Sequence, residues 1–175
     1  VVCLKINVTE ALNNPGKSIK FDLSEEIGTS EIGSREYEFN TPLSVSGSLM
    51  YTGEDFMARG SISVGYVAEC DRCTKELYNT LEIDFAEEFS KTEDEGHPDR
   101  YLFSQNEIDL MPMVMDNISL MMPMKHLCDA ACKGLCPICG GNLNEKDCGC
   151  LEEEVIKNSP FAKIKDLNFD DDGEV

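Results

Sequence analysis

Six of the nine cysteines in this chain fall between Cys128 and Cys150, spaced as Cys-x3-Cys, Cys-x2-Cys and Cys-x-Cys. Within that run, Cys136-Pro-Ile-Cys139-Gly has the form of a metal knuckle. Two thiolates two residues apart converge on one ion, Pro137 fixes the turn, and Gly140 can take the positive φ that lets backbone N–H groups approach sulfur. Cys148 and Cys150 follow after a loop long enough to bring a second sulfur pair to the same ion. Four soft ligands with no open position describe a closed, structural zinc site rather than a catalytic one.

Cys70-Asp-Arg-Cys73 is another Cys-x2-Cys pair, and Cys128 and Cys132 remain unassigned by the knuckle. The spacing therefore predicts two four-cysteine sites, Cys136, Cys139, Cys148 and Cys150 in one and Cys70, Cys73, Cys128 and Cys132 in the other, with Cys3 alone. One zinc with free thiols, and disulfides, are the competing readings. Disulfides are disfavoured by the odd cysteine count, by the strain of bridging Cys148-Gly-Cys150, and by opening residues that read as a strand rather than a cleavable leader.

Charge is the second constraint. The chain has 34 acidic against 15 basic residues, a net charge of −19, and each four-thiolate zinc site adds a further net −2. Nucleic-acid binders present basic patches that displace counterions from phosphate. A chain this acidic points instead to a protein partner, and a basic one. The segment from Lys125 to Cys150 is the exception, because three lysines there balance three acids before the thiolates are counted. No apolar run approaches the roughly 20 residues that span a bilayer, so a soluble, cytoplasmic protein is expected.

Residues 1–40 read as a strand, a polar turn at Thr9–Gly16, a short strand at Ile19–Leu23, and a loop from Gly28 to Ser34. From Tyr37 to Phe89 the period is two. Leu43 and Val45 lead to a hairpin turn at Thr52–Asp55, the return strand carries Ile62, Val64, Tyr66 and Ala68, and a third strand holds Leu77, Leu81, Ile83, Phe85 and Phe89. This predicts an antiparallel meander with the Cys70–Cys73 pair at a strand-to-strand turn. Residues 82–99 carry eight acids and one lysine and read as an exposed loop.

The pattern over 107–124 predicts an amphipathic helix, with Asp109 as N-cap, Pro112 in the first turn, an apolar stripe of Met111, Met115, Ile118 and Met122, and Pro123 as stop. The stripe is read as packing on the meander, with a methionine-rich docking surface as the alternative. After the knuckle, Ser159 and Pro160 open a short helix near 160–167 in an acidic tail.

Support for catalysis is thin. His97 sits in the acidic loop and His126 beside the cysteines, where it is a substitute ligand if Cys128 or Cys132 is free. No phosphate loop or nucleophile elbow is present. A redox role for Cys70 and Cys73 would want a helix N-terminus after the pair, and strand-like sequence flanks it instead.

The ordered set of Cys70-Asp-Arg-Cys73, Glu107-Ile108-Asp109-Leu110, Met121-Met122-Pro123-Met124, Cys128-x3-Cys132-Lys-Gly-Leu-Cys136-Pro-Ile-Cys139-Gly, Asn142-Leu-Asn144 and Cys148-Gly-Cys150, closing with Ser159 to Leu167, resembles the large ribosomal RNA subunit accumulation (YceD) family of bacteria and plastids, over roughly residues 36–168. The full cysteine-rich end looks like its Gram-positive branch. Some family members lack the Cys136–Cys150 knuckle, which implies that this site supports folding or a lineage-specific contact. The resemblance implies a non-enzymatic role in accumulation of large-subunit rRNA.

Together these readings predict an α+β protein. It has an antiparallel β-meander packed with one amphipathic helix over 1–127, a zinc knuckle at 128–151, and an acidic tail with a short helix over 152–175. One or two structural zinc ions are expected. The partner is a basic ribosomal protein or large-subunit precursor. The alternatives are an RNA-binding module using Lys125, Lys133 and Lys146, and a Cys-x2-Cys redox protein.

Overall fold

A computed structural model describes residues 4–92, 100–104 and 106–150 of the chain. Cys3, His97 and the helix expected near 160–167 lie outside the described residues. The chain forms two compact units, one of Val1–Glu69 with Glu76–His126, the other of Cys70–Lys75 with Leu127–Val175.

In chain order the first unit holds β1 (Lys5–Asn7), α1 (Thr9–Leu12), β2 (Ser18–Glu25), β3 (Thr29–Ile32), β4 (Arg35–Phe39), β5 (Leu43–Tyr51), β6 (Phe56–Glu69), β7 (Glu76–Ser90), β8 (Tyr101–Leu102), β9 (Glu107–Asp109) and α2 (Met111–Met121). The class is α+β. The meander is β5–β6–β7, antiparallel throughout, with β2 added antiparallel to the outer edge of β5. β6 is the axis of the sheet: β7 lines one edge from Phe56 to Glu69, while β5 and then β4 share the other. The handover from β5 to β4 falls at Gly65, whose N–H donates to Thr41 Oγ1 at 2.6 Å and whose carbonyl accepts from the Asn40 N–H. A Cβ on Gly65 would lie 2.7 Å from Asn40 Oδ1. β8 joins β7 in parallel, and β1 pairs with β9 in a separate two-stranded ribbon.

Alternation explains the core. Leu43, Val45 and Leu49 of β5, Phe56, Ala58, Ile62 and Val64 of β6, and Ile83, Phe85 and Phe89 of β7 are buried, with exposed or half-exposed polar residues mostly between them. One row across four strands runs Phe21, Gly47, Gly60, Phe85. The two glycines face each other so closely that a Cβ on Gly60 would lie 2.1 Å from the Ser46 carbonyl oxygen and 3.0 Å from the Phe85 ring. Two phenylalanines fill the space that the glycines leave on the inner face.

Four expectations need correction. Gly28–Ser34 is not a loop: β3 occupies its centre, burying Ile32, with Gly28 and Gly33 at positive φ at its two ends. The Thr9–Gly16 turn begins with a helical turn, α1, which buries Ala11. The acidic stretch from Glu82 to Ser90 is the second half of β7, as the alternation of Ile83, Phe85 and Phe89 indicates. Glu82, Asp84 and Glu88 take the opposite face, and the half-buried Glu87, on the inner parity, accepts from Asn117 Nδ2 of α2 at 3.5 Å. Residues 107–109 are strand β9 rather than the start of the helix, since Ile108 is fully buried against β1.

Asp109 still caps α2 from one position further out, accepting the Met111 N–H at 3.0 Å, while Leu110 holds the N-cap position. α2 packs on β7 through Met113, Val114 and Ile118, all fully buried, with Met111, Met115 and Met122 half-buried beside them. Each of the three buried side chains contributes about 1.5–3 kcal/mol. No helix among the described residues is long and apolar enough to cross a membrane.

Substituting Gly60→Ala is expected to destabilise the sheet by about 1–3 kcal/mol, because the added methyl meets backbone rather than a yielding side chain. Ser61→Ala, on the exposed position next to it, should stay within about 0.5 kcal/mol. Urea unfolding followed by circular dichroism measures both.

Candidate metal centres

The turn between β6 and β7, Cys70–Lys75, and the segment Leu127–Cys150 build two knuckles with the same backbone bonding. In the first, the Thr74 N–H donates to the Cys70 carbonyl at 2.9 Å and the Cys70 N–H to the Lys75 carbonyl at 2.8 Å. In the second, the Gly140 N–H donates to the Cys136 carbonyl and the Cys136 N–H to the Gly141 carbonyl, both at 2.8 Å. The residue after each second cysteine adopts a left-handed conformation, φ 72° at Gly140 and φ 57° at Thr74. Glycine adopts it freely. A β-branched threonine does so at a cost, and its hydroxyl donates to the Cys73 carbonyl at 2.8 Å.

The sulfurs of Cys70, Cys73, Cys128 and Cys132 all lie within 4.8 Å of one another, and so do those of Cys136, Cys139, Cys148 and Cys150. In the first set Cys70 and Cys132 are 3.9 Å apart and Cys73 and Cys128 3.6 Å. A tetrahedron with metal–sulfur bonds of about 2.3 Å has edges of about 3.8 Å, so the spacing fits a four-sulfur ion site. It does not fit disulfides, whose sulfurs stand about 2.05 Å apart, and none of the eight is bridged.

The sulfurs' acidity tells the same story. The Cys128 N–H, partly offset by burial, holds the Cys70 thiol down to about 6. The Cys139 and Ile138 N–H groups hold Cys136 down to about 6. Hydrogen bonding among neighbouring sulfurs, first with Cys132 and Cys73, pushes Cys128 up to about 12, and Cys148 and Cys139 do the same to Cys150. Each set thus has one sulfur ionised near neutral pH and another that resists ionisation beside it. A divalent cation relieves that conflict, since it stabilises all four thiolates together.

The two sets differ in exposure. Cys70, Cys73 and Cys132 are buried and Cys128 half-buried. In the second set only Cys136 is buried, and a cavity of about 260 Å³ lined by Lys133, Cys136, Ile138, Leu143, Cys148 and others opens onto it. His126 joins neither set. It lies in the sheet unit, buried, with Nε2 3.2 Å from the Tyr37 hydroxyl and its ring against Tyr37 and Tyr66.

Two further side chains, Arg72 and Asn144, support the clusters. Arg72 Nη1 donates to the carbonyls of Cys132 and Ala130 at 2.9 and 3.3 Å, and Asn144 Nδ2 to Cys132 Sγ at 3.2 Å. Nothing in cysteine spacing marks either, because both act through the backbone or sulfur of residues distant in sequence.

A sheet unit and a unit with two four-cysteine clusters define the class: an α+β protein with two candidate metal centres. The family model described as large ribosomal RNA subunit accumulation protein YceD matches residues 58–168, a span that contains all eight clustered cysteines. This chain belongs to that family. It is similar to the chloroplastic large ribosomal RNA subunit accumulation protein YCED homolog 1 of Arabidopsis thaliana, 38% identical over 61 residues, 34% of this chain and 19% of the relative. The Zea mays homolog 1 is 37% identical over 62 residues, 35% and 21% respectively. An uncharacterized protein of Mycobacterium leprae is 25% identical over 111 residues, 61% of this chain and 51% of the relative. The chain thus spans about half or less of these relatives. No solved structure matches it.

The native protein is expected to carry two metal ions per chain by elemental analysis. Cys73→Ser and Cys139→Ser should each remove one, and only the double variant should remove both.

Proposed function

We propose that this protein is a non-enzymatic factor that supports accumulation of large-subunit ribosomal RNA by contacting a basic protein of the large-subunit precursor, with zinc as a structural ion in both cysteine tetrads. Family membership and the names of the plant relatives support the ribosomal part of this reading. Soft, four-sulfur, closed donor sets support zinc, which when bound supplies a crosslink between chain segments and charge compensation.

The observation that carries the basic partner is the outward face of the sheet. Glu31 stands directly opposite Glu36 and Glu69 opposite Glu76, all four exposed. Glu38, Glu82 and Asp84 share that face by register and are exposed too. Like charges directly opposed across strands destabilise a sheet, so folding alone does not account for them. A cationic partner surface would turn that repulsion into attraction, and would associate fast at low salt.

The test is a titration of the full chain against basic large-subunit ribosomal proteins and against rRNA fragments over a range of salt. Binding to the protein that weakens as salt rises, and weakens about tenfold when Glu36, Glu76 and Glu82 are all changed to Gln, is the expected result. Tight binding to rRNA with a steep salt slope and none to basic proteins would overturn the reading in favour of an RNA-binding module. Loss of the gene should lower the level of large-subunit rRNA relative to small.

A further inference from the structure

The short segment Cys132–Leu135 is held from both sides within the cysteine unit. On one side the Leu135 N–H donates to the Arg72 carbonyl at 2.9 Å, and Arg72 Nη1 returns a bond to the Cys132 carbonyl at 2.9 Å. Gly134 permits the approach: at φ 78°, a Cβ there would already lie 3.0 Å from the Arg72 carbonyl oxygen. On the other side the loop between Cys139 and Cys148 pairs with it. Leu135 and Asn142 form an antiparallel bridge, the Leu143 N–H donates to the Gly134 carbonyl at 2.9 Å, and the Lys133 N–H donates to Asn144 Oδ1 at 2.8 Å.

That last bond fixes the Asn144 amide. A backbone N–H can only donate, so Oδ1 must face Lys133, and the NH₂ group must face the other way. There it meets Cys132 Sγ at 3.2 Å and Asn142 Oδ1 at 2.9 Å, and Asn142 Oδ1 also accepts the Asn144 N–H at 3.0 Å. A residue carried on the loop of the second tetrad therefore supplies a hydrogen bond to a sulfur of the first.

We propose that Asn144 is a positioning residue for the first tetrad, and that through it the two metal sites are coupled: the ion held by Cys136, Cys139, Cys148 and Cys150 slows release of the ion held by Cys70, Cys73, Cys128 and Cys132. The loop from Gly140 to Asp147 is pinned at both ends by ligands of the second tetrad. While those four sulfurs share an ion, Asn144 stays against Cys132. When that ion leaves, the loop loses its closure and Cys132 loses a donor that favours its thiolate. The coupling is reciprocal at equilibrium, because linkage between two sites has one free energy. Exposure sets the order. The second tetrad, with Cys139 and Cys148 open to solvent, gives up its ion first, and the buried first tetrad follows.

The proposal rests on both tetrads being metal sites, so the experiment begins with zinc content of the full native chain; fewer than two ions overturns that underlying reading. With two ions present, release to a colorimetric chelator is expected in two phases. Asn144→Asp keeps the acceptor for the Lys133 N–H but loses the donor to sulfur, and Asn144→Ala loses both. Each should quicken the slow phase by about tenfold, the scale of one hydrogen bond to a charged group. Cys139→Ser with Cys148→Ser, which empties the second tetrad, should quicken the remaining phase by a similar factor.

Cobalt substituted into that double variant reports the first tetrad alone. In it the sulfur-to-cobalt band should lie at the position that Asn144→Ala gives, and adding Asn144→Ala should not move it further. A slow phase unchanged in both Asn144 variants while two ions are bound would overturn the coupling and leave the two metal sites standing.

Discussion

Four sulfurs within 4.8 Å of one another cannot all ionise unless a cation sits among them, and the cysteine unit is built around two such sets. This constraint decides much of its local structure. Sulfur cannot be brought so close by an apolar core of useful size, since among the described residues the buried members of this unit are chiefly the cysteines themselves. The chain instead turns backbone N–H groups toward sulfur, Cys128 to Cys70 Sγ and Ile138 to Cys136 Sγ, around two turns with the same N–H to carbonyl bonding. Those turns need a left-handed residue after the second cysteine, and the protein accepts a strained threonine at one of them to keep the geometry. With ions bound as proposed, a small unit of this kind would draw its folding free energy from ion binding more than from burial.

The sheet unit follows ordinary hydrophobic rules, and most of it was legible from alternation. Val45, Ile62 and Ile83 announce their strands and their shared face. Over 82–90 two signals compete: alternation carries the third strand to Phe89, while the acidic run reads as a loop. Alternation prevails because a β-strand with one solvated face can carry an acid at every second residue. The Glu107–Asp109 strand was hidden for a different reason: three residues are too few for a period, and the adjoining helical pattern absorbed them. Only the pairing of Ile108 with Ile6, about a hundred residues earlier, makes it a strand. The opposed glycines Gly47 and Gly60 were equally silent, since a glycine in a strand says that something comes close without saying what.

The candidate site shows the same division. Spacing alone grouped the eight cysteines as the structure groups them, because a Cys-x2-Cys pair has few ways to use both sulfurs. It could not find Arg72 or Asn144. Their contacts join residues 60 and 12 positions apart, and an asparagine in a polar loop has many uses that leave the same mark in a sequence. The supporting shell of a metal site is set by tertiary placement, so it becomes visible only when the loop is seen lying against the sulfur.

Negative charge then acquires two distinct meanings in one chain. In the tetrads it would be concentrated and internal, and in the proposed zinc-bound state it is answered by cations at bonding distance. On the outer face of the sheet it is spread over opposed glutamates, Glu31 across from Glu36 and Glu69 across from Glu76. The first kind is satisfied within the protein and is insensitive to salt. The second, if a cationic partner answers it as proposed, must weaken as salt rises. A factor that held a basic ribosomal protein would need both: a body kept rigid by ions at its own expense, and a face whose repulsion is relieved only when the partner arrives.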